Sequence, residues 1–124
     1  MPTVQRFEDL IAWQKARTLT KNVYVSTKRE PFCRDFGLSG QIQRASVSIM
    51  SNIAEGVERY GPNELPHFLS HAKGSCAEVR SQLYVALDVG YLSGEEFTDL
   101  YDQADEVGRL IMGLRNAALD RSSR

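Results

Sequence analysis

Covalent reinforcement is nearly absent from this chain: its 124 residues contain two cysteines, Cys33 and Cys76. A disulfide framework of the secreted type is thereby excluded, and both thiols are expected to be reduced and unpaired. Histidine is as scarce, with His67 and His71 set four residues apart in one stretch. Two neighbouring histidines offer no base to a distant nucleophile, and no Gly-x-Ser-x-Gly elbow occurs. Glycine loops of the phosphate-cradling or dinucleotide kind are missing as well. No run approaches the ~20 apolar residues of a membrane span. The opening MPTVQRFEDL lacks the apolar core of a signal peptide, so no membrane association and a cytoplasmic location are expected. These absences argue against an enzyme, and no catalytic residue or cofactor is assigned.

A charge surplus is also lacking. The net charge is −1, whereas a dedicated nucleic-acid binder is usually basic overall. The distribution is uneven, however. Residues 1–44 hold eight Lys/Arg against four Asp/Glu, a net of +4, and residues 45–124 hold seven against twelve, a net of −5. Any surface for nucleic acid would have to be a local patch. The cations in question are Lys15, Arg17, Lys21, Lys28, Arg29 and Arg34, on the first helix and the loop after it. No aromatic side chain is interleaved with them for base stacking, and a solvated outer face is the simpler reading.

What the chain does have is helical periodicity over almost its whole length. Apolar residues recur at three- and four-residue spacing in four stretches, about 9–28, 38–60, 63–89 and 94–119. In the first, Trp13, Ala16, Thr20, Val23, Tyr24 and Thr27 share a face. Pro31 and Gly37 break the pattern, and Phe32 and Phe36 are expected to plug the bundle end. Ser39 or Asp35 suits the N-cap of the second helix, and Tyr60-Gly61-Pro62 should stop it. In the third, Asn63 is the expected N-cap, and Leu65, Phe68, Leu69, Ala72, Cys76, Val79, Leu83, Ala86 and Leu87 form the apolar face. The fourth opens on a capping box, Ser93-Gly94-Glu95-Glu96, with six acidic residues between Glu95 and Glu106 at the positive end of its dipole. Short connections force antiparallel neighbours, so the expected fold is one all-α domain over 1–124, an up-down-up-down four-helix bundle.

The second helix is the most informative. At ~100° per residue it carries two apolar stripes. One is Leu38, Ile42, Ala45, Ile49, Ile53, Gly56 and Tyr60; the other is Val47, Met50, Ala54 and Val57. Two stripes imply two packing partners, so the second set is a candidate oligomer interface. Between them runs a polar line of Gln41, Arg44, Ser48, Asn52, Glu55 and Arg59, which Glu78 of the third helix can join. If that line faces solvent, it is a surface with i,i+4 support of roughly a few tenths of a kcal/mol. If it is enclosed between helices or subunits, the reading its apolar borders favour, Arg44 needs Glu55 or Glu78 as a partner, because a lone buried charge costs several kcal/mol. Helical glycines at Gly56, Gly74, Gly108 and Gly113 suggest close backbone approach.

One metal-like pattern is present. Glu64-Leu65-Pro66-His67 matches Glu-x-x-His, with His71 one turn on, but a di-iron bundle needs that motif twice, facing inward. Here it occurs once, opposite the apolar face, and reads as a solvated surface; no metal is assigned.

FEDLIAWQKA (Phe7–Ala16), DFGLSGQIQRASVSIMSNIAEG (Asp35–Gly56) and HFLSHAKGSCAEV (His67–Val79) resemble the four-helix bundle family of proteins encoded within 23S rRNA intervening sequences. The resemblance covers nearly the whole chain. It implies an antiparallel bundle that assembles into a homopentameric ring of uncharacterised molecular function, with no established catalytic residue. The family pattern falls on Trp13, Gln41, Arg44, Ala45, Ser48, Ile49, Asn52, Ile53, Ala54, Glu55, Gly56, Gly74, Ser75 and Glu78. A related accessory protein of diversity-generating retroelements, strongly basic where this chain is slightly acidic, implies an alternative role beside nucleic acid through the basic patch. The expected partners are therefore further copies of the chain and, in that alternative, nucleic acid or another protein.

Overall fold

A computed structural model describes residues 6–59, 61 and 63–122. A 3-10 turn at Phe7–Asp9 leads into α1 (Ile11–Thr27), and a second turn at Phe32–Arg34 leads into α2 (Phe36–Glu58). Then come α3 (Glu64–Asp88) and α4 (Gly94–Ser122). There is no strand among the described residues.

Cross-helix contacts run in opposite senses along each adjacent pair. Between α2 and α3, Ser48 meets Ser75 and Gly56 meets Phe68. Between α3 and α4, Ser70 meets Arg115 and Tyr84 meets Phe97. The ring closes where α1 meets α4, through Lys15 with Glu106, Asn22 with Gln103 and Arg29 with Glu96. Each helix therefore lies antiparallel to both neighbours, as an up-down-up-down bundle requires.

Local chemistry sets the ends. Asp35 caps α2 by accepting from the Leu38 N–H at 3.0 Å, and its other carboxylate oxygen takes the Tyr91 hydroxyl at 2.9 Å. Ser39, the other cap candidate, is instead buried one turn inside. Ser93 and Glu96 form the expected reciprocal box, at 3.1 and 2.9 Å. Asn63 makes no side-chain cap, contrary to expectation, because its backbone is already helical there. Gly90 closes α3 with φ +85°, letting the Tyr91 N–H reach back to the Ala86 carbonyl at 2.9 Å. The Tyr60-Gly61-Pro62 stop falls at residues 60 and 62, which lie outside the described residues. The fourth helix runs on through Asp120 to Ser122, past the end expected near 119.

The core is made by Leu19, Val23, Phe32, Ile42, Ile49, Ile53, Leu69, Val79, Leu83, Val107 and Ile111, all under 2% exposed or at it. Three details differ from the sequence reading. The first helix turns Leu19 and Ala12 fully inward and leaves Trp13, Thr20 and Tyr24 half-buried on a flank. Of the two phenylalanines expected to plug the bundle end, Phe32 does so, stacked on Tyr91 at 4.9 Å, but Phe36 stands 82% exposed. It is the first residue of α2, one step after its cap, where its side chain has no neighbouring helix to lie on. Of Gly56, Gly74, Gly108 and Gly113, Gly56 alone is tight: a Cβ there would stand 3.0 Å from Phe68 Cβ and 3.1 Å from Leu65. Gly108 makes ordinary contact, and nothing lies within 4 Å of Gly74 or Gly113.

Candidate functional site

The flanks of α2 are fixed by its contacts. On one side Gln43 donates to the Thr27 hydroxyl at 2.9 Å, and Thr20 donates to the Ser46 carbonyl at 3.1 Å, so this flank faces α1. On the other, Ser48 and Gly56 face α3. By helical phase Val47, Met50 and Ala54 follow Gln43 along the α1 side. Met50 and Val57 pack partly against the core, Ala54 is half-buried, and Val47 is 40% exposed. The second stripe thus finds part of its cover within its own chain, on α1. Its outer edge, with Val47 and the exposed Phe36 on the same line, remains open to solvent.

The polar line lies along the α2–α3 seam. Ser48 and Ser75 hydroxyls meet at 2.9 Å, and the Asn52 amide donates back to the Ser48 carbonyl at 2.9 Å and hydroxyl at 3.0 Å. This small relay is satisfied. Beyond it opens a shallow cleft of about 310 Å³, lined by Gln41, Arg44, Ala45, Ser48, Glu78 and Gln82. Arg44 and Glu78 stand on its two walls and are both exposed. The pairing expected of Arg44 is not made: Glu55 binds Arg59 at 2.6 Å instead, and among the described residues neither Arg44 nor Glu78 has an ion-pair partner. The reason is geometric. Arg44 bends back along its own helix over Gly40, whose missing Cβ leaves room for the guanidinium. Gln82 Oε1 is buried in the seam without a donor.

The basic residues divide into two groups. Lys15 meets Glu106 at 3.6 Å, Arg29 meets Glu96, and Arg34 meets Glu30 at 2.9 Å. Arg17, Lys21 and Lys28 share a narrow outward line on α1. Among the described residues those three have no carboxylate partner, although Arg17 lies over the Trp13 ring at 5.8 Å. Half of the patch is therefore neutralised by acidic α4 and its own loop.

His67 and His71 sit on the exposed face of α3, ring centroids 4.7 Å apart and nearly perpendicular at 82°. Glu64 is on the same line, one turn earlier. Among the described residues no group of three or more His, Cys, Asp or Glu is arranged to hold a metal. Both cysteines are free. Burial pushes the Cys76 thiol up to about 12, against smaller opposing pulls from Arg80 and Lys73, which leaves it inert as a nucleophile. No helix of the described residues is long and apolar enough to cross a membrane.

Two features were missed in the sequence reading. Ser75, named only as a family-pattern position, carries the cross-helix hydrogen bond, and its place beside Ala72, Cys76 and Val79 on the inner face of α3 was its signal. Phe36 carried none, since its exposure depends on where its neighbours end.

Against known proteins, residues 8–113 match the sequence model of a family described as 23S rRNA-intervening sequence protein. A solved structure from Bacteroides thetaiotaomicron VPI-5482, described as a protein with unknown function from the S23 ribosomal protein family, shares the fold at a TM-score of 0.78. It is 19% identical, and the alignment covers 86% of this chain and 96% of that one. No curated protein matches. Neither description names a reaction.

Proposed function

From the premise that this chain belongs to the 23S rRNA-intervening sequence protein family, we propose that it is a non-enzymatic, self-assembling bundle, an assembly or adaptor protein of the cytoplasm. The observation that carries this reading is the open outer edge of α2. Phe36 at 82% and Val47 at 40% exposure lie on one line with half-buried Ala54 and Met50, an apolar edge that a second copy can cover. The homopentameric ring implied by the family resemblance is the assembly we assign. Light scattering on the purified chain should give a mass near five times the 13.9 kDa of one copy. Val47→Glu should release smaller species that keep their helicity. A wild-type chain that stays at 13.9 kDa at every concentration would overturn the proposal.

A second reading rests on the row of Arg17, Lys21 and Lys28, whose cations are free for phosphate. In it the protein is a nucleic-acid accessory factor. Three phosphate contacts predict affinity falling with salt at a log–log slope of roughly −2 to −3. Charge reversal at Lys21 and Lys28 should abolish binding, and an absence of binding at low salt rejects this role.

A further inference from the structure

We propose that His67 and His71 form a surface chelate for one divalent transition-metal ion. This is a different object from the buried, carboxylate-bridged pair of metals that the Glu-x-x-His spacing first suggested. It lies on the outer face of α3, and two imidazoles from successive turns hold the ion.

Three observations converge on it. Positions i and i+4 of a helix lie one above the other on the same face, the spacing by which paired histidines of helical zinc sites share a metal. The rings are already at the right separation: two imidazoles bound to one ion at about 2.0–2.1 Å place their centroids roughly 4.5–5.2 Å apart, and these stand at 4.7 Å. Both side chains are exposed, and among the described residues neither ring has a hydrogen-bond partner, so each can turn a nitrogen to a common point without breaking a bond. His67 also meets the Phe68 ring edge-on, with centroids 5.4 Å apart.

The charges around the pair are compatible with a cation. Glu64 lies three residues before His67 on the same line, with no ion-pair partner among the described residues, and its stem leans over Gly61. Arg59 lies over the Phe68 ring at 5.0 Å but is held by Glu55 at 2.6 Å. Imidazole donors select borderline ions, so the site takes Cu²⁺, Ni²⁺ or Zn²⁺, with Cu²⁺ the tightest, and not Ca²⁺ or Mg²⁺. Two protein ligands leave the remaining positions to water, so the ion exchanges readily.

The test uses the full chain, free of any histidine tag and stripped with chelator. Cu²⁺ titrated in and followed by electron paramagnetic resonance should show one ion per chain with hyperfine splitting from two nitrogens. Zn²⁺ should bind at the same stoichiometry by calorimetry. Because the second imidazole binds intramolecularly, His67→Ala or His71→Ala should each weaken binding by roughly 100-fold. Both side chains are exposed, so each variant should match the wild type in circular dichroism and melting when chelator is present. Binding that survives both substitutions, a stoichiometry of one ion per two chains, or no binding at millimolar metal would each overturn the assignment.

Discussion

Two cysteines with the same chemistry show how far position governs a residue. Cys76 is 1% exposed between α3 and α4, with its thiol raised to about 12, while Cys33 sits half-buried in the turn before α2. In the native protein a thiol reagent at pH 8 should modify Cys33 within minutes and Cys76 only on unfolding. Peptide mapping of the labelled chain checks this, and rapid native labelling of Cys76 would contradict the packing. Glu96 gives a second residue-level expectation. The Ser93 N–H, and then Arg29, hold its carboxyl below the ordinary value of 4.5. A lowered folded value means the stabilisation is complete above that ordinary range and fades as pH falls through the folded value. Wild type should therefore unfold at higher denaturant than Glu96→Gln at pH 7, and the gap should narrow as the pH falls below the ordinary carboxylate range.

Among the elements, α2 packs tightly on α3 at Gly56. A Cβ there meets Phe68 Cβ at 3.0 Å, the Leu65 Cδ1 methyl at 3.1 Å and Leu65 Cα at 3.5 Å, so Gly56→Leu should force the pair apart and destabilise by about 1–3 kcal/mol. Gly74 lies in the same helix pair with open space around it. There the intrinsic helix preference is unopposed, and Gly74→Ala should stabilise by up to ~1 kcal/mol. Chemical denaturation of the two variants reads both signs. Equal effects would mean that the glycines are not distinguished by packing.

For the whole molecule, charge is arranged helix against helix. Basic α1 lies beside acidic α4, joined by Lys15–Glu106 and Arg29–Glu96 across the seam. These side chains are about half exposed, and such surface pairs contribute ~0–1 kcal/mol each. The bundle is held by its apolar core, so melting in 0.05 and 1 M salt should give nearly the same stability. A large loss at high salt would transfer credit from the core to the seam. The same arrangement bears on nucleic acid, because α4 screens the α1 cations nearest it and leaves Arg17, Lys21 and Lys28 outward.

How much of this could be read beforehand depended on range. The four helices, the Asp35 and Ser93–Glu96 caps and the inward Ile42, Ile49 and Ile53 follow from spacings of three and four residues, which the backbone fixes locally. The candidate surfaces were harder. Sequence identified Val47, Met50, Ala54 and Val57 as a second apolar stripe, yet only the packing of α1 showed that Met50 and Val57 already touch the core. It placed Arg44 within reach of Glu55 and Glu78, yet the guanidinium lies over Gly40.

By itself the sequence determined where the helices lie and which face of each is apolar, because periodicity and capping are settled within one or two turns. Only the tertiary structure decided which flank each helix shows to its neighbours, that Phe32 is buried while Phe36 is not, and which charges find partners. Those outcomes depend on the rotation and ends of helices that are distant in the chain, and the same side chain satisfies either arrangement until its neighbours are in place.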